Sequence, residues 1–334
     1  MVTTLIGIKG LEVPELSNEQ RRQLIDAQQL YASWRPLAVE LQARRPLYWN
    51  TSKGARYLYS IRNGVRTPIG RETPELAQMK AEHDARGKRL RQLIRPLVAR
   101  MERMAPVNRA LRLGRLPSLP ARILRDLDDR ALLGDHIIVA GTNALYAYEM
   151  AAGVMIGGEF VATDDADLLW DARKFLELAA SQIGNDGLLG ILRRIDETFE
   201  AHYGYNATNS DGYIVDFITS DDEGLPTRLG SGADLEATRM EGTKWLLDAP
   251  RFEQVIVGGD GAPLRIVAPE PRTFALHKLW LSRVPSRQAI KRPRDEAQSR
   301  LVAHLAKTYL GLAFNVGDMP WLPKELNKLV RELR

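Results

Sequence analysis

The chain has 334 residues, 44% hydrophobic and 27% charged, which is long enough for two or three domains and a full core. It contains no cysteine, which excludes disulfides and thiolate metal sites. No run of 18 apolar residues occurs and the start carries no apolar signal core, so no membrane segment is expected and a soluble cytoplasmic protein is the default expectation. The net charge of +5 is uneven: residues 84–125 hold twelve Lys/Arg against two acids, Asp84 and Glu102, a local +10 that leaves −5 for the rest. Such a segment suits an anionic partner, nucleic acid being the commonest, or equally a solvated Arg-rich helix packing on the acidic remainder.

In chain order, Ser17 and Gln20 have capping-box spacing and open a helix over 17–43, with Pro36 as a kink or break. The stretch 55–70 reads as a β-hairpin: Tyr57, Tyr59 and Ile61 alternate with Arg56, Leu58 and Ser60, and Asn63-Gly64 suits a type I′ turn. Tyr57 and Tyr59 with Arg56 and Arg62 could clamp a base, or form an ordinary aromatic strand face. Thr73-Pro74-Glu75 starts a helix that runs to about Met104. The two prolines in 113–123 read as a linker or short connecting element. Residues 136–153 read as a short buried strand, a glycine turn and a helix; 159–171 as a second strand; 172–200 as helical; 212–220 as a third strand. Residues 252–259 and 263–269 form a hairpin closed by Asp260-Gly261. Helices are expected at 271–284, 290–310 and 321–333. Three domains follow: a helical N-terminal region 1–120, an α/β core 121–270 and a helical C-terminal domain 271–334.

The chemistry concentrates in "TDDADLLWD", residues 163–171. Side chains at i and i+2 of a strand share a face, so Asp165 and Asp167 project together while Asp164, Ala166 and Leu168 point away. Two adjacent carboxylates repel, and burying them uncompensated is costly. A divalent cation between them resolves this, and an all-oxygen donor set suits Mg²⁺ or Mn²⁺. Asp216, flanked by Ile214, Val215, Phe217 and Ile218, sits in a strand expected to be buried on both faces and needs a partner of the same kind. Upstream, Val139-Ala140-Gly141-Thr142 ends a strand and starts a helix; Gly141 permits close approach and Thr142 offers a hydroxyl, a phosphate-binding turn or a plain N-cap. Asp171 is expected to cap the following helix. The histidines His83, His136, His202, His277 and His304 show no metal-ligand spacing, and no P-loop, G-x-S-x-G or G-x-G-x-x-G is present.

Together these pieces resemble the nucleotidyltransferase-fold superfamily: a strand–glycine turn–helix, a D-x-D strand, then a third acidic strand. More narrowly the chain looks like the bacterial group called nucleotidyltransferase-fold proteins, with AbiEii-type toxins more distant. "YLYSIRNGVRTPIGRETPE" (57–75), "PEPRTFALHKLWLS" (269–282) and "KRPRDEAQ" (291–298) carry that narrower likeness. The resemblance implies an α+β fold, a nucleotidyltransferase-like mixed β-sheet core with helical N-terminal and C-terminal regions. It implies that Gly141 and Thr142 form the phosphate turn, that Asp165 and Asp167 bridge the metals and that Asp216 holds the catalytic metal. Lys278 resembles the lysine that steadies a triphosphate, or is a snorkelling surface side chain. Asp295 with Arg294 suits an outer pair, part of the acceptor site or a helix salt bridge. Thr142 departs from the usual Gly/Ser, and the Gly141–Asp165 spacing is longer than in compact members. The implied activity is Mg²⁺-dependent transfer of NMP from an NTP to a hydroxyl on RNA or tRNA, a protein or a small molecule, with a toxin or defence role implied by the AbiEii likeness. The competing readings are a non-catalytic nucleic-acid binder on the same fold and a regulatory, partner-binding protein.

Overall fold

Ser17 caps the first helix as its spacing predicts: its hydroxyl accepts from the Gln20 N–H at 3.2 Å, while the Gln20 side chain accepts from the Ser17 N–H at 2.8 Å. The computed structural model describes residues 13–62, 65–174, 187–202, 204–228 and 235–334. Helix α1 (Asn18–Ala43) continues through Pro36 without a break. A three-stranded antiparallel sheet follows, β1 (Leu47–Ser52), β2 (Ala55–Arg62) and β3 (Val65–Arg71). The expected hairpin is present as β2–β3 and gains β1 as a third strand; its Asn63-Gly64 turn and the Arg62 side chain lie outside the described residues. Thr73 caps α2 (Pro74–Ala110), which passes through Pro96 and Pro106 and ends six residues beyond the expected Met104.

The far end of α2 is tied to the core. Asn108 Nδ2 donates to the Gly261 carbonyl at 2.7 Å, and Arg109 donates to the Asp260 carbonyl at 2.6 Å. Arg125 completes the clasp with two bonds to the Asp260 carboxylate at 2.6 and 2.9 Å. Where a connector was expected, the chain forms β4 (Gly114–Leu116) and α3 (Ser118–Asp129). A parallel neighbour for β4 lies far along the chain, so local pattern could not announce it: β4 joins the hairpin of β11 (Arg251–Gly258) and β12 (Pro263–Pro269) in the order β12-β11-β4.

The central sheet runs β5 (Ile137–Val139), β6 (Asp165–Trp170), β9 (Ile214–Ser220), β8 (Asn206–Thr208) and β7 (Glu200–His202), with β10 (Thr238–Met240) also paired to β9. It is mixed: β5–β6 is antiparallel and β6–β9 parallel. After β5 come a short 3-10 turn and α4 (Leu145–Ala152). Residues 159–161, expected at the start of a long strand, belong instead to the single-turn helix α5 (Gly158–Val161). A short apolar run with one acid fits both periods, and here the helical one wins. The helix expected over 172–200 is α6 (Gly187–Ile195) within the described residues, followed by β7; 175–186 lie outside them.

α7 (Lys244–Asp248) precedes the β11–β12 hairpin, and α8 (Pro271–Leu281), α9 (Arg292–Thr308) and α10 (Asn327–Leu333) close the chain. α8 and α9 pack against each other, and α9 also against α4. One contiguous apolar cluster reaches from Leu16 to Leu333. The fold is thus mixed α/β with helices at both ends. Among the described residues no helix is long and apolar enough to cross a membrane.

Candidate active site

The parallel pairing of β6 with β9 puts Asp167 directly opposite Asp216 and Asp165 opposite Ile214. Cross-strand partners share a face, so Asp165, Asp167 and Asp216 stand on one side of the sheet. The opposite side carries Ala166, Leu168, Trp170, Val215 and Phe217, all buried, with Trp170 stacked on Phe217 at 5.7 Å and 15°. That apolar face fixes the orientation: a one-residue slip of either strand would drive the carboxylates into the core. Asp164 is exposed at the strand entrance, turned away as expected.

The glycine turn lies against the acids. Gly141 has φ +57° and ψ −156°, a region closed to other residues. A Cβ built there would lie 1.7 Å from Asp167 Oδ2. The next residues hold the turn in place. Asn143 donates to the Asp165 carbonyl at 3.0 Å, and Thr142 Oγ1 accepts from Gln298 of α9 at 3.3 Å. Gln298 also donates to the Phe160 carbonyl at 2.7 Å. The plain N-cap reading of Thr142 is thereby corrected: Gly141 holds the cap position, Thr142 is the first residue of the 3-10 turn, and no side chain caps it.

Electrostatics mark the cluster as strained. Burial pushes Asp167 up to about 6, and the neighbouring Asp165 charge pushes the same way while Lys278 opposes it. Burial likewise raises Asp216, with Asp165 adding to it and Asn206 and Lys291 opposing. Tyr213 also sits in the field of Asp165 and Asp167, and burial holds its hydroxyl protonated. Four buried polar atoms around the site, Asn143 Oδ1, Asn206 Oδ1, Tyr213 OH and Gln298 Oε1, have no geometric hydrogen-bond partner among the described residues. Asn143 and Tyr213 nevertheless interact with each other, Asn143 opposing the rise in the affinity of the Tyr213 hydroxyl for its proton.

Lys278 is 6% exposed and its Nζ donates to Asp295 at 3.0 Å. Burial alone would raise Asp295, yet Lys278 and Arg287, the latter at 2.7 Å, hold it below the usual range. The snorkelling alternative is thereby corrected: Lys278 is an interior cation that faces Asp167 electrostatically while anchored by Asp295. Arg294 does not pair with Asp295; it donates to the Phe160 and Ala162 carbonyls. Lys291, exposed at the start of α9, acts on both Asp167 and Asp216. Sequence reasoning passed over it; its signal lay in the quoted "KRPRDEAQ" stretch. Asp171 caps the 3-10 turn at 172–174 through the Arg173 N–H and is ion-paired to Arg173 at 2.8 Å and Arg251 at 3.3 Å. It is structural and apart from the trio.

Among the described residues no three His, Cys, Asp or Glu side chains are grouped as a ready metal cluster. Thr163 donates to Asp165 and Asn206 to Asp216 (3.4 Å), so the carboxylates share a face without meeting at a point. The donor chemistry nevertheless fits a hard cation: three oxygen donors, mutual repulsion, and a turn with no Cβ in the way. A cavity of about 320 Å³ lies elsewhere, beside Tyr31, Trp34, Met101, Arg125 and Asp260, and contains none of the three acids. Its walls belong to the clasp on α2.

Residues 119–318 match the profile of a family described as Nucleotidyltransferase. The chain belongs to the nucleotidyltransferase family. No curated protein and no solved structure gives a significant match. The match to the nucleotidyltransferase profile contains β5, the glycine turn, β6, β9, α8 and most residues of α9 and its following loop. Every candidate residue above, from Gly141 to Lys291, therefore falls inside the nucleotidyltransferase region, while α1, the β1–β3 sheet and α2 lie before it.

Proposed function

We propose that this chain transfers a nucleoside monophosphate from an NTP to a hydroxyl acceptor at Asp165, Asp167 and Asp216, with Mg²⁺ or Mn²⁺; its family membership supports the transfer in general. The observation that carries the reading is the contact of Gly141 with Asp167: the turn that would hold phosphates touches the acid that would hold the metal.

The acceptor oxygen forms a bond to the α-phosphorus, the bond from that phosphorus to the bridging oxygen breaks, and pyrophosphate departs. Asp216, whose raised affinity for protons suits a base, takes the hydroxyl proton. Asp165 and Asp167 would hold the cation, which would neutralise charge on the phosphates. Thr142 and the backbone of the turn receive phosphate oxygens. Lys278 and Lys291 offset the triphosphate charge, Lys278 fixed by Asp295 and Lys291 free to follow the nucleotide.

The basic segment 84–125 favours RNA, such as tRNA, as acceptor. A toxin or defence role would fit that acceptor. Incubation with each labelled NTP, Mg²⁺ and either total RNA or cell lysate tests donor and acceptor class together. Label in RNA supports the reading; label in protein or in small molecules moves the acceptor. If nothing is labelled and Asp165→Ala/Asp167→Ala matches the wild type in nucleotide calorimetry, the reading fails.

A further inference from the structure

The β1–β3 sheet has two unlike faces. Leu58 is fully buried, Ser60 is 8% exposed, and a Cβ at Gly70 would meet Leu76 of α2 at 3.0 Å. That inner face therefore rests on the start of α2. Arg56 belongs to it, stacked over Trp49 at 5.1 Å and paired with Glu72 at 2.7 Å. The opposite face carries Tyr48 and Tyr59, cross-strand partners stacked at 5.7 Å, and Tyr57, whose partner on β3 is Arg71. Arg66 lies over the Tyr48 ring at 5.8 Å. Arg66 and Arg71 are exposed, and neither side chain makes a hydrogen bond or ion pair among the described residues.

Composition says what this face is for. Residues 44–71 contain seven Lys/Arg and no Asp or Glu. The helix that follows adds Lys88, Arg89, Arg91, Arg95, Arg100 and Arg103, all exposed and without an acidic partner among the described residues. Tyrosine and arginine are enriched at protein interfaces as well, so it is the lack of any carboxylate over residues 44–71 that selects a polyanion. Here half-buried tyrosine rings alternate with unpaired guanidinium groups, the combination that stacks bases and tracks phosphates.

We propose that the outer face of β1–β3 binds a single-stranded nucleic acid, with Tyr48, Tyr57 and Tyr59 as the stacking platform and Arg66 and Arg71 as phosphate contacts. This deepens the acceptor side of the proposed transfer and rests on that reading for its biological use, but the binding is measurable without nucleotide. The experiment is fluorescence anisotropy of the full chain with labelled 20-mers of mixed-sequence RNA, the matching DNA strand and the RNA duplex, at several salt concentrations.

Single strands are expected to bind more tightly than the duplex. Tyr57→Leu/Tyr59→Leu should weaken binding by about tenfold or more, while Tyr57→Phe/Tyr59→Phe keeps it, since the ring is what stacks. Arg66→Gln/Arg71→Gln should flatten the dependence of log K on log salt by about 1.4. A preference of RNA over DNA assigns the strand to RNA, and equal binding assigns it to either; both support the platform. Wild-type affinity in the Leu variant, equal loss in the Phe variant, or no binding by the wild type overturns it. Nucleotide calorimetry in the same Leu variant should be unchanged, so failure of the platform is distinct from failure of the carboxylate site.

Discussion

Gly141 is the residue whose replacement the site cannot absorb. Alanine there meets Asp167 Oδ2 at 1.7 Å and must hold φ +57°, so both backbone and carboxylate must move. Gly141→Ala is expected to abolish nucleotide binding in calorimetry and lower stability by about 1–3 kcal/mol in thermal melts. Asp167 gives a pH signature. Its folded-state affinity for the proton is raised to about 6, above its unfolded value, so its stabilising contribution is complete below pH ~4 and lost as pH rises through about 6. Because the side chain is mostly buried, the loss is on the order of 2–3 kcal/mol. In melts without metal, the wild type should lose ground to Asp167→Asn between pH 4 and 6.5, and Mg²⁺ should restore only the wild type. Parallel pH curves for the two proteins would remove this account. Lys291→Ala should raise the KM for NTP severalfold with little change in melting temperature, whereas Lys278→Met should also destabilise, because it leaves the buried Asp295 with Arg287 alone.

The elements show which parts a sequence can announce. The D-x-D pair and Asp216 were legible because period-2 alternation and a buried-strand acid are local facts. That Asp167 stands opposite Asp216 was not, since strand order depends on contacts fifty residues apart. Lys291 was invisible for the opposite reason: it sits at an exposed helix start, where any cation looks like a solvated one. The β11–β12 turn, plain in sequence, proves to be the clasp on α2. A Cβ on Gly261 would lie 2.2 Å from the Ala105 carbonyl oxygen, so Gly261→Ala should loosen α2 and lower the melting temperature more than Asp260→Ala. The latter removes the half-exposed pair with Arg125 and is expected to cost about 1 kcal/mol. Faster amide exchange confined to the C-terminal turns of α2 would locate the effect.

At the scale of the molecule, charge and chemistry are segregated. The acids that would handle a cation lie within the stretch matched by the nucleotidyltransferase family, and the basic, aromatic surface precedes it in the chain. The division predicts separable losses. Raising salt from 50 to 200 mM should weaken oligonucleotide binding steeply and NTP binding modestly, because the N-terminal cations are exposed while Lys278 is interior.

The clasp also has a metric meaning. At about 1.5 Å per residue, the 37 residues of α2 extend about 55 Å, with the β1–β3 sheet at one end and the core-anchored Asn108 and Arg109 at the other. A helix fixed in this way is a ruler. A strand stacked at about 3.4 Å per nucleotide needs roughly sixteen nucleotides to run its length. Oligonucleotides of five should then be held by the sheet alone, and affinity should rise with length as the exposed cations along α2 are engaged.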